Sequence, residues 1–593
     1  MAPRRRTRRP SGRPGAAVPS RGLLLALGAR AARAAAPGQP GRTYQCFGSS
    51  GGSPGDCFPG REACGSPFEG APVFHLMDQQ GCAENDPNGP VYDPVHGVVH
   101  HFYQDHLAAK PGHGPIYGHF VSKDLVNWAQ LPVAIWNGLD SSVWPPKATP
   151  YDNMAIFTGS AVVVEGAGPG GKGPGVVNIY PGLCNKQDWP SCSTGTLLAQ
   201  AVPADYAGDP LLTNWTKPDY NPIIENTQRD PSTPWKTPSG EWRMRTFDSM
   251  VYGAASDADL LAGRWYTIGK SKDFRSCECP SFYPLPGPTP GFEDAYHSSA
   301  GSLPTHVHKT SCGGDWWQLG SYDPGPLNST GVFSATVGWE DLFEQRRIES
   351  GKLYASKDNE YPTRSGGKRR INWGWAQVPP QSTQTLPRVV TFNAVARVLE
   401  QAPAEELEAL RGTPASSRTA VRLAPGVAVD LEAGNGVAKH SETVAVFRLP
   451  EHNATFGVTV GDLRCTVSYA PPAGEAASKP WYAVQVECGG VSDTLRLVAS
   501  ETTIELRVFA DATFVEAYFQ KGRVAMTVAS KLGDSSQVAV ESTAPVTLSD
   551  SRVYPMRGIW VSPEEVRSSP RVFPGASRGA VAAVGHRVEE VVV

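Results

Sequence analysis

Two short runs set the reading of the fold: Val98-Val99-His100-His101-Phe102-Tyr103 and, beyond a segment containing Pro111, Gly112 and Gly114, Ile116-Tyr117-Gly118-His119-Phe120-Val121. Both are rich in β-branched and aromatic residues and too short for a stable helix. The same kind of unit recurs outward from them, at Ala155–Val164, Gly175–Tyr180, Trp242–Phe247, Trp316–Tyr322 and Arg370–Ala376, with Gly, Pro, Asn and Asp between the runs. From about Pro72 to Ala376 this even punctuation predicts an all-β domain. A propeller of radially repeated four-stranded sheets would bury such strands without long open edges. On pattern alone, a β-helix or a pair of sandwiches serves as well.

Further along, Pro403–Gly412 (PAEELEALRG) reads as a short helix, with Leu407 and Leu410 on one face and Gly412 at its stop. Alternating runs then resume at Thr443–Arg448, Tyr482–Val486, Thr494–Val498, Thr503–Phe509, Thr513–Phe519 and Val524–Val528. They predict a second all-β domain, most simply a sandwich. The expected division is therefore a targeting segment (1–40), a Cys/Gly-rich extension (41–71), a first β domain (72–395), a helical connector (396–412), a sandwich (413–562) and a loose tail (563–593).

With 593 residues, two packed domains are expected. A net charge of −3 gives no reason to expect DNA or another polyanion as partner. No apolar run approaches the roughly 20 residues that would span a bilayer. The first 55 residues carry many Arg and no acid, with Leu23–Leu27 as a brief apolar stretch and Ala34-Ala35-Ala36 before Pro37. That layout fits a secretory signal, hence secretion or an endomembrane lumen. Arg30 and Arg33 keep an organellar transit peptide as the alternative. Among eleven cysteines, Cys465 with Cys488 and Cys184 with Cys192 are plausible bridges. Sequons stand at Asn214, Asn328 and Asn453.

Three acids sit in unusual settings. Asp86 lies in Asn85-Asp86-Pro87-Asn88-Gly89, which reads first as a turn, and a turn at a strand end is also where a catalytic carboxylate is often presented. Asp230 lies in Arg229-Asp230-Pro231; this could be a surface ion pair, or a carboxylate kept ionised by a fixed guanidinium to face developing positive charge. Glu278 lies in Cys277-Glu278-Cys279-Pro280. No second Cys or His pair has zinc-ligand spacing, and soft apolar flanks would favour its protonated form, as a general acid needs. The histidines His96, His100, His101, His106, His113 and His119 interleave with strand and turn signals, which fits packed strand residues better than a metal site. An acid and a nucleophile about 5–5.5 Å apart are the minimal kit for retaining glycoside hydrolysis. Only folding could bring these together.

The order and spacing of these motifs resemble glycoside hydrolase family 32, the invertase and fructan hydrolase family. The resemblance is carried by Asn85–Gly89, Arg229–Pro231 and Glu278–Pro280. Supporting segments are Phe102-Tyr103-Gln104, Ser122–Trp128, Phe157–Ser160, Gly351–Ser356, Trp373-Gly374-Trp375, Pro387-Arg388 and Leu506–Arg523. It implies a five-bladed β-propeller followed by a β-sandwich, and hydrolysis of terminal β-D-fructofuranosyl residues from sucrose or fructans. In this reading Asp86 is the nucleophile, Glu278 the acid/base and Asp230, braced by Arg229, the transition-state stabiliser. Asn85, Gln104, Phe157, Thr158, Arg229 and Tyr117 would contact substrate. The resemblance implies no metal or organic cofactor, and the partner is a small carbohydrate.

Several positions depart from the family pattern: Cys82-Ala83-Glu84 before Asn85, Tyr117 and Cys277 where Trp is common, Ser281 after Glu-Cys-Pro, and Glu349-Ser350 for Asp-Tyr. On the sequence they are expected around the site rather than in its three carboxylates, so they bear on the leaving group. Glu84 is expected to push local carboxyl pKa values up by like-charge repulsion. The alternatives to a fructoside hydrolase are a fructosyltransferase using the same intermediate, a hydrolase of a pentose on a similar propeller, and a fructan-binding protein without turnover.

Overall fold

The computed structural model describes residues 45–46, 70–79, 82–108, 114–285, 304–335, 346–431 and 436–574. The expectations for the targeting segment, for nearly all of the Cys/Gly-rich extension, for His113 and for the tail beyond 574 lie outside these residues.

Five antiparallel sheets, each built on a path of four strands, follow one another along the chain and form the blades of a propeller. Their innermost strands are Glu84–Pro87, Ser160–Glu165, Trp235–Lys236, Glu278–Pro284 and Leu353–Pro362. The run read as Ala155–Val164 is two strands, Ala155–Ile156 and Ser160–Glu165, both paired with Pro174–Leu183. Phe157-Thr158-Gly159 forms the break between them. Apolar clusters pack each blade on its neighbours, and around the axis polar side chains add further ties. Asn359 donates 3.0 Å bonds to the carbonyls of both Pro90 and Ala161, joining three blades.

His100 and His119 stack with Phe102 on one face of blade 1, while His101 on the other stacks with Phe120 and meets Trp373 of blade 5 edge-on. Burial lowers His100 to about 4 and His101 to about 3, so both are neutral imidazoles in the blade's packing.

The predicted helix at 403–412 is a 3-10 helix, Glu405–Leu410, with Leu407 and Leu410 buried as expected. Ala404 at its start offers no side chain to cap the free N–H groups, and so short an element gains little from α geometry. Two six-stranded sheets then pack face to face over a core that includes Phe447, Phe456, Leu495, Leu506 and Phe519.

Propeller and sandwich share a buried ionic interface. Arg388 of blade 5 lies 2.7 Å from Glu349 and 2.7 Å from Glu516, while His75 bridges Asp511 at 2.8 Å and Glu516 at 3.1 Å. Glu349, expected near the site, belongs to this interface.

The expectation of a loose tail fails for its first dozen residues. Pro563–Ser568 is an α-helix opened by Ser562, with a capping box to Glu565. Its Val566 joins Val98, Val121 and Leu131 in blade 1, and Phe573 packs on Tyr92. Lys123 fixes the helix end by donating to the carbonyls of Arg567 and Ser569. A single apolar residue per turn suffices because the polar bonds anchor both ends.

Candidate active site

The candidate residues lie at or just before the beginnings of the inner strands, and therefore meet at one mouth of the propeller axis. Local backbone irregularity aims them there. Pairing slips a register between Glu84 and Pro87, between Glu278 and Ser281, and between Tyr354 and Lys357. A slip of this kind bends a strand and re-aims its side chains. Asp230 (φ +61°), Cys279 (φ +46°) and Ala355 (φ +54°) hold left-handed backbone, which costs energy in a residue other than glycine and marks a site held by its surroundings. The turn after Asp86 needs its glycine: Gly89 has φ +79°, and a Cβ there would sit 2.4 Å from the backbone N of Ala161.

Hydrogen bonds chain the residues together. Gln104 donates to Thr158 Oγ1 at 2.6 Å, and Thr158 in turn donates a short bond to Asp86 Oδ2. Cys279 lies between two acids, its thiol 3.4 Å from Asp86 Oδ2 and its N–H donating to Asp230 Oδ2 at 3.1 Å. Glu278 is held on one oxygen by a short bond from Arg229 and on the other by the Tyr354 hydroxyl at 2.6 Å. Arg229 also lies over the Phe247 ring, 4.8 Å from its centroid. Phe157, Phe247, Tyr354 and Trp375 are half-buried around the opening, as are Asn85, Asp86 and Glu278.

Beneath the acids lie two buried lysines. Lys357 Nζ donates to the Pro231 carbonyl at 3.0 Å and Ser160 at 3.3 Å, and Lys309 Nζ donates to the Cys279 carbonyl at 3.1 Å and pairs with Asp315 at 2.9 Å. Burial raises the Asp86 carboxyl to about 7, with the charges of Asp230 and Glu278 adding to the rise and the Thr158 hydroxyl opposing it. Asp230 is also raised by burial, against the pull of Arg229 and Lys357. Burial lowers Lys357. Burial next to Asp86 and Asp230 pushes the Cys279 thiol well up, so it remains a neutral donor. Such a pocket concentrates negative charge on one spot over a buried cation, which suits a reaction whose transition state gains positive charge.

All nine residues singled out from the sequence lie in or directly behind this site, but four details differ. Arg229 makes its short contact with Glu278 and stands 3.7 Å from Asp230, so the brace expected for Asp230 goes mainly to the other acid. Tyr117 is fully buried and donates to the Phe157 carbonyl at 2.8 Å; it supports a rim residue instead of facing the opening. Glu278 lacks the soft apolar flanks expected of it, because Cys277 is in a disulfide with Cys312 and Cys279 points at the other acids. Glu84 is buried facing Asp78 and Asp105, and the like charges acting on Asp86 are Asp230 and Glu278 instead. Tyr354 and Lys357 carry no local signal of their own in the sequence, although Tyr354 lies within Gly351–Ser356.

The family model for the glycosyl hydrolases family 32 N-terminal domain matches residues 75–406. The chain belongs to this family. Among its relatives, β-fructofuranosidase insoluble isoenzyme 1 of Daucus carota is 29% identical over 388 residues, covering 60% of this chain and 59% of that protein. The fructan 6-exohydrolase of Triticum aestivum is 30% identical over 423 residues, covering 64% of each. The matched stretch thus spans less than two thirds of either relative's own length. Fructan 1-exohydrolase IIa of Cichorium intybus has the same fold, with a TM-score of 0.60 and 21% identity across 84% of this chain and 99% of that one. Family 32 architecture, propeller then sandwich, therefore accounts for the whole described core.

Proposed function

We propose that this family 32 chain is a retaining glycosidase that releases terminal β-D-fructofuranosyl units from sucrose or fructans. The observation that carries the proposal is the convergence of Asp86, Asp230 and Glu278 on one mouth of the propeller, linked through Cys279, Thr158, Arg229 and Tyr354. Asp86 attacks the anomeric carbon of the fructosyl ring as the glycosidic C–O bond breaks, and Glu278 gives its proton to the leaving oxygen. Glu278 then takes a proton from water, which attacks the same carbon, breaks the ester and frees Asp86. Asp230 faces the positive charge that develops on the ring, and Lys357 beneath it offsets part of the crowding of carboxylates. Phe157, Asn85 and Gln104 border the fructosyl position.

The printed names of the relatives, β-fructofuranosidases and fructan exohydrolases, support this substrate class. An extracellular or vacuole-like compartment is favoured by the disulfides Cys184–Cys192, Cys277–Cys312 and Cys465–Cys488. The three sequon asparagines, all exposed, fit that compartment. Hydrolysis of sucrose, raffinose, inulin and levan by purified protein, with Asp86→Asn and Glu278→Gln in parallel, tests the reading. Release of free fructose that both variants abolish supports it. Oligosaccharides growing at high sucrose would assign transfer instead, and no turnover on any of the four would overturn it.

A further inference from the structure

Glu278 occupies the last paired position of its strand. It pairs with Ser311, and the register then breaks before the next pair, Ser281 with Lys309. On its upstream side, Arg275 and Ser276 are exposed and belong to no strand. A terminal pair beyond a bulge has few bonds to keep it closed, and strand ends of this kind open locally.

The chain closes this end covalently. Cys277 is joined to Cys312, and Cys312 directly follows Ser311, so the bridge lies one residue outside the terminal pair on both strands. Cys312 is itself anchored: its N–H donates to the Gly314 carbonyl at 2.8 Å and its own carbonyl accepts from the Trp316 indole at 3.1 Å. Across the pair, the Tyr354 hydroxyl reaches both Glu278 Oε2 at 2.6 Å and the Ser311 carbonyl at 3.3 Å. Any opening between residues 278 and 311 breaks that arrangement. Cys277 and Cys312 are only half-buried, whereas Cys184, Cys192, Cys465 and Cys488 are buried, so a small thiol reaches this bridge before those two.

We infer that the Cys277–Cys312 disulfide is a positioning element for Glu278, and that turnover depends on whether this pair is oxidised. The inference rests on the assignment of Glu278 as acid/base. Opening the bridge with a dithiol is a two-electron exchange: the S–S bond breaks, Cys277 and Cys312 become thiols, and the dithiol closes to its own disulfide. The fold stays assembled while the carboxyl loses its fixed aim.

The test treats the folded protein with dithiothreitol without denaturant, uses alkylation and mass spectrometry to show which pair has opened, and follows two substrates. Sucrose needs its leaving oxygen protonated; an aryl β-fructofuranoside with a good leaving group needs little help. Opening of Cys277–Cys312 should lower kcat for sucrose about tenfold or more, in the range a displaced general acid costs, with KM held within about twofold. Compared in kcat/KM, which reports the step before water enters, the aryl substrate should lose less than about threefold while sucrose keeps its tenfold loss, and reoxidation should restore sucrose turnover. The double variant Cys277→Ser/Cys312→Ser should start at the reduced level and ignore the dithiol; if it does not fold, the reduced wild type decides. Unchanged sucrose turnover with the pair open would overturn the inference, and so would equal losses on both substrates. Glu278→Gln separates the two layers. If that variant is inactive while opening the bridge is silent, only the role of the disulfide falls; full activity in Glu278→Gln removes the assignment beneath it.

Discussion

Replacing Thr158 by Val removes one hydroxyl and almost no volume, at a position that is 1% exposed. That hydroxyl donates to Asp86 and accepts from Gln104, so the change strips the proposed nucleophile of its hydroxyl donor, leaves it the weaker Cys279 thiol, and leaves the Gln104 amide without that acceptor. A hydrogen bond to a charged group contributes about 1.5–3 kcal/mol. At about 1.4 kcal/mol per decade, this corresponds to roughly one to two pKa units, or 10- to 100-fold in rate. The sign follows from which form the bond favours. The donor stabilises the carboxylate, so its loss lifts Asp86 further above its already raised value of about 7. The acidic limb of kcat/KM for sucrose should therefore move to higher pH, with the loss greatest on the acid side and shrinking above the limb. Thr158→Ser keeps the donor and should retain the wild-type profile. Initial rates across pH on all three proteins provide the assay. A Val variant whose limb stays in place or moves down would refute the reasoning, even if its rate fell.

Asp86→Asn and Glu278→Gln should each reduce fructose release by roughly three orders of magnitude or more, with far-UV circular dichroism unchanged. Arg388→Met strips buried Glu349 of its cation and leaves Glu516 with His75 alone, and should cost about 3–5 kcal/mol in chemical denaturation while KM changes little. The His75 interface should also give a pH-dependent stability. Burial opposes ionisation at Glu516, yet Arg388 and His75 hold its carboxyl down at about 2, so its contribution is present above the ordinary carboxylate range and lost as pH falls toward 2. His75 is raised by Asp511 and Glu516 in spite of its burial, so its contribution is present below about 6.5 and lost as pH rises through its folded value. Thermal unfolding from pH 3 to 9 should show His75→Gln flattening the alkaline fall and also weakening the acid-side transition, because Glu516 and Asp511 lose one of the groups that favour their ionised forms.

How much of this was legible beforehand depended on whether the signal was local. Short β-branched and aromatic runs divided by Gly and Pro announce strands, because side-chain alternation and turn geometry act over a few residues. Asn85–Gly89 carried its own turn, down to the glycine that its positive φ requires. Ser562-Pro563-Glu564-Glu565 also carries a helix start, but a single turn has too little apolar periodicity to stand out in an otherwise patternless tail.

Partnerships across the axis had no such signal. Arg229 precedes Asp230 in the chain, yet a left-handed residue turns the Asp230 side chain away and frees the guanidinium for an acid 49 residues on. Cys277 looks like an apolar flank until blade 4 brings Cys312 beside it. Lys357 reads as an ordinary strand lysine until blade 5 places it under Asp230. Composition and strand punctuation by themselves pointed to an all-β fold, and motif order singled out three carboxylates, because turns and strands are settled by neighbouring residues. Which donor holds which acid, and which cysteine guards Glu278, was decided only where five separate strands converge, since sequence distance there no longer measures distance in space.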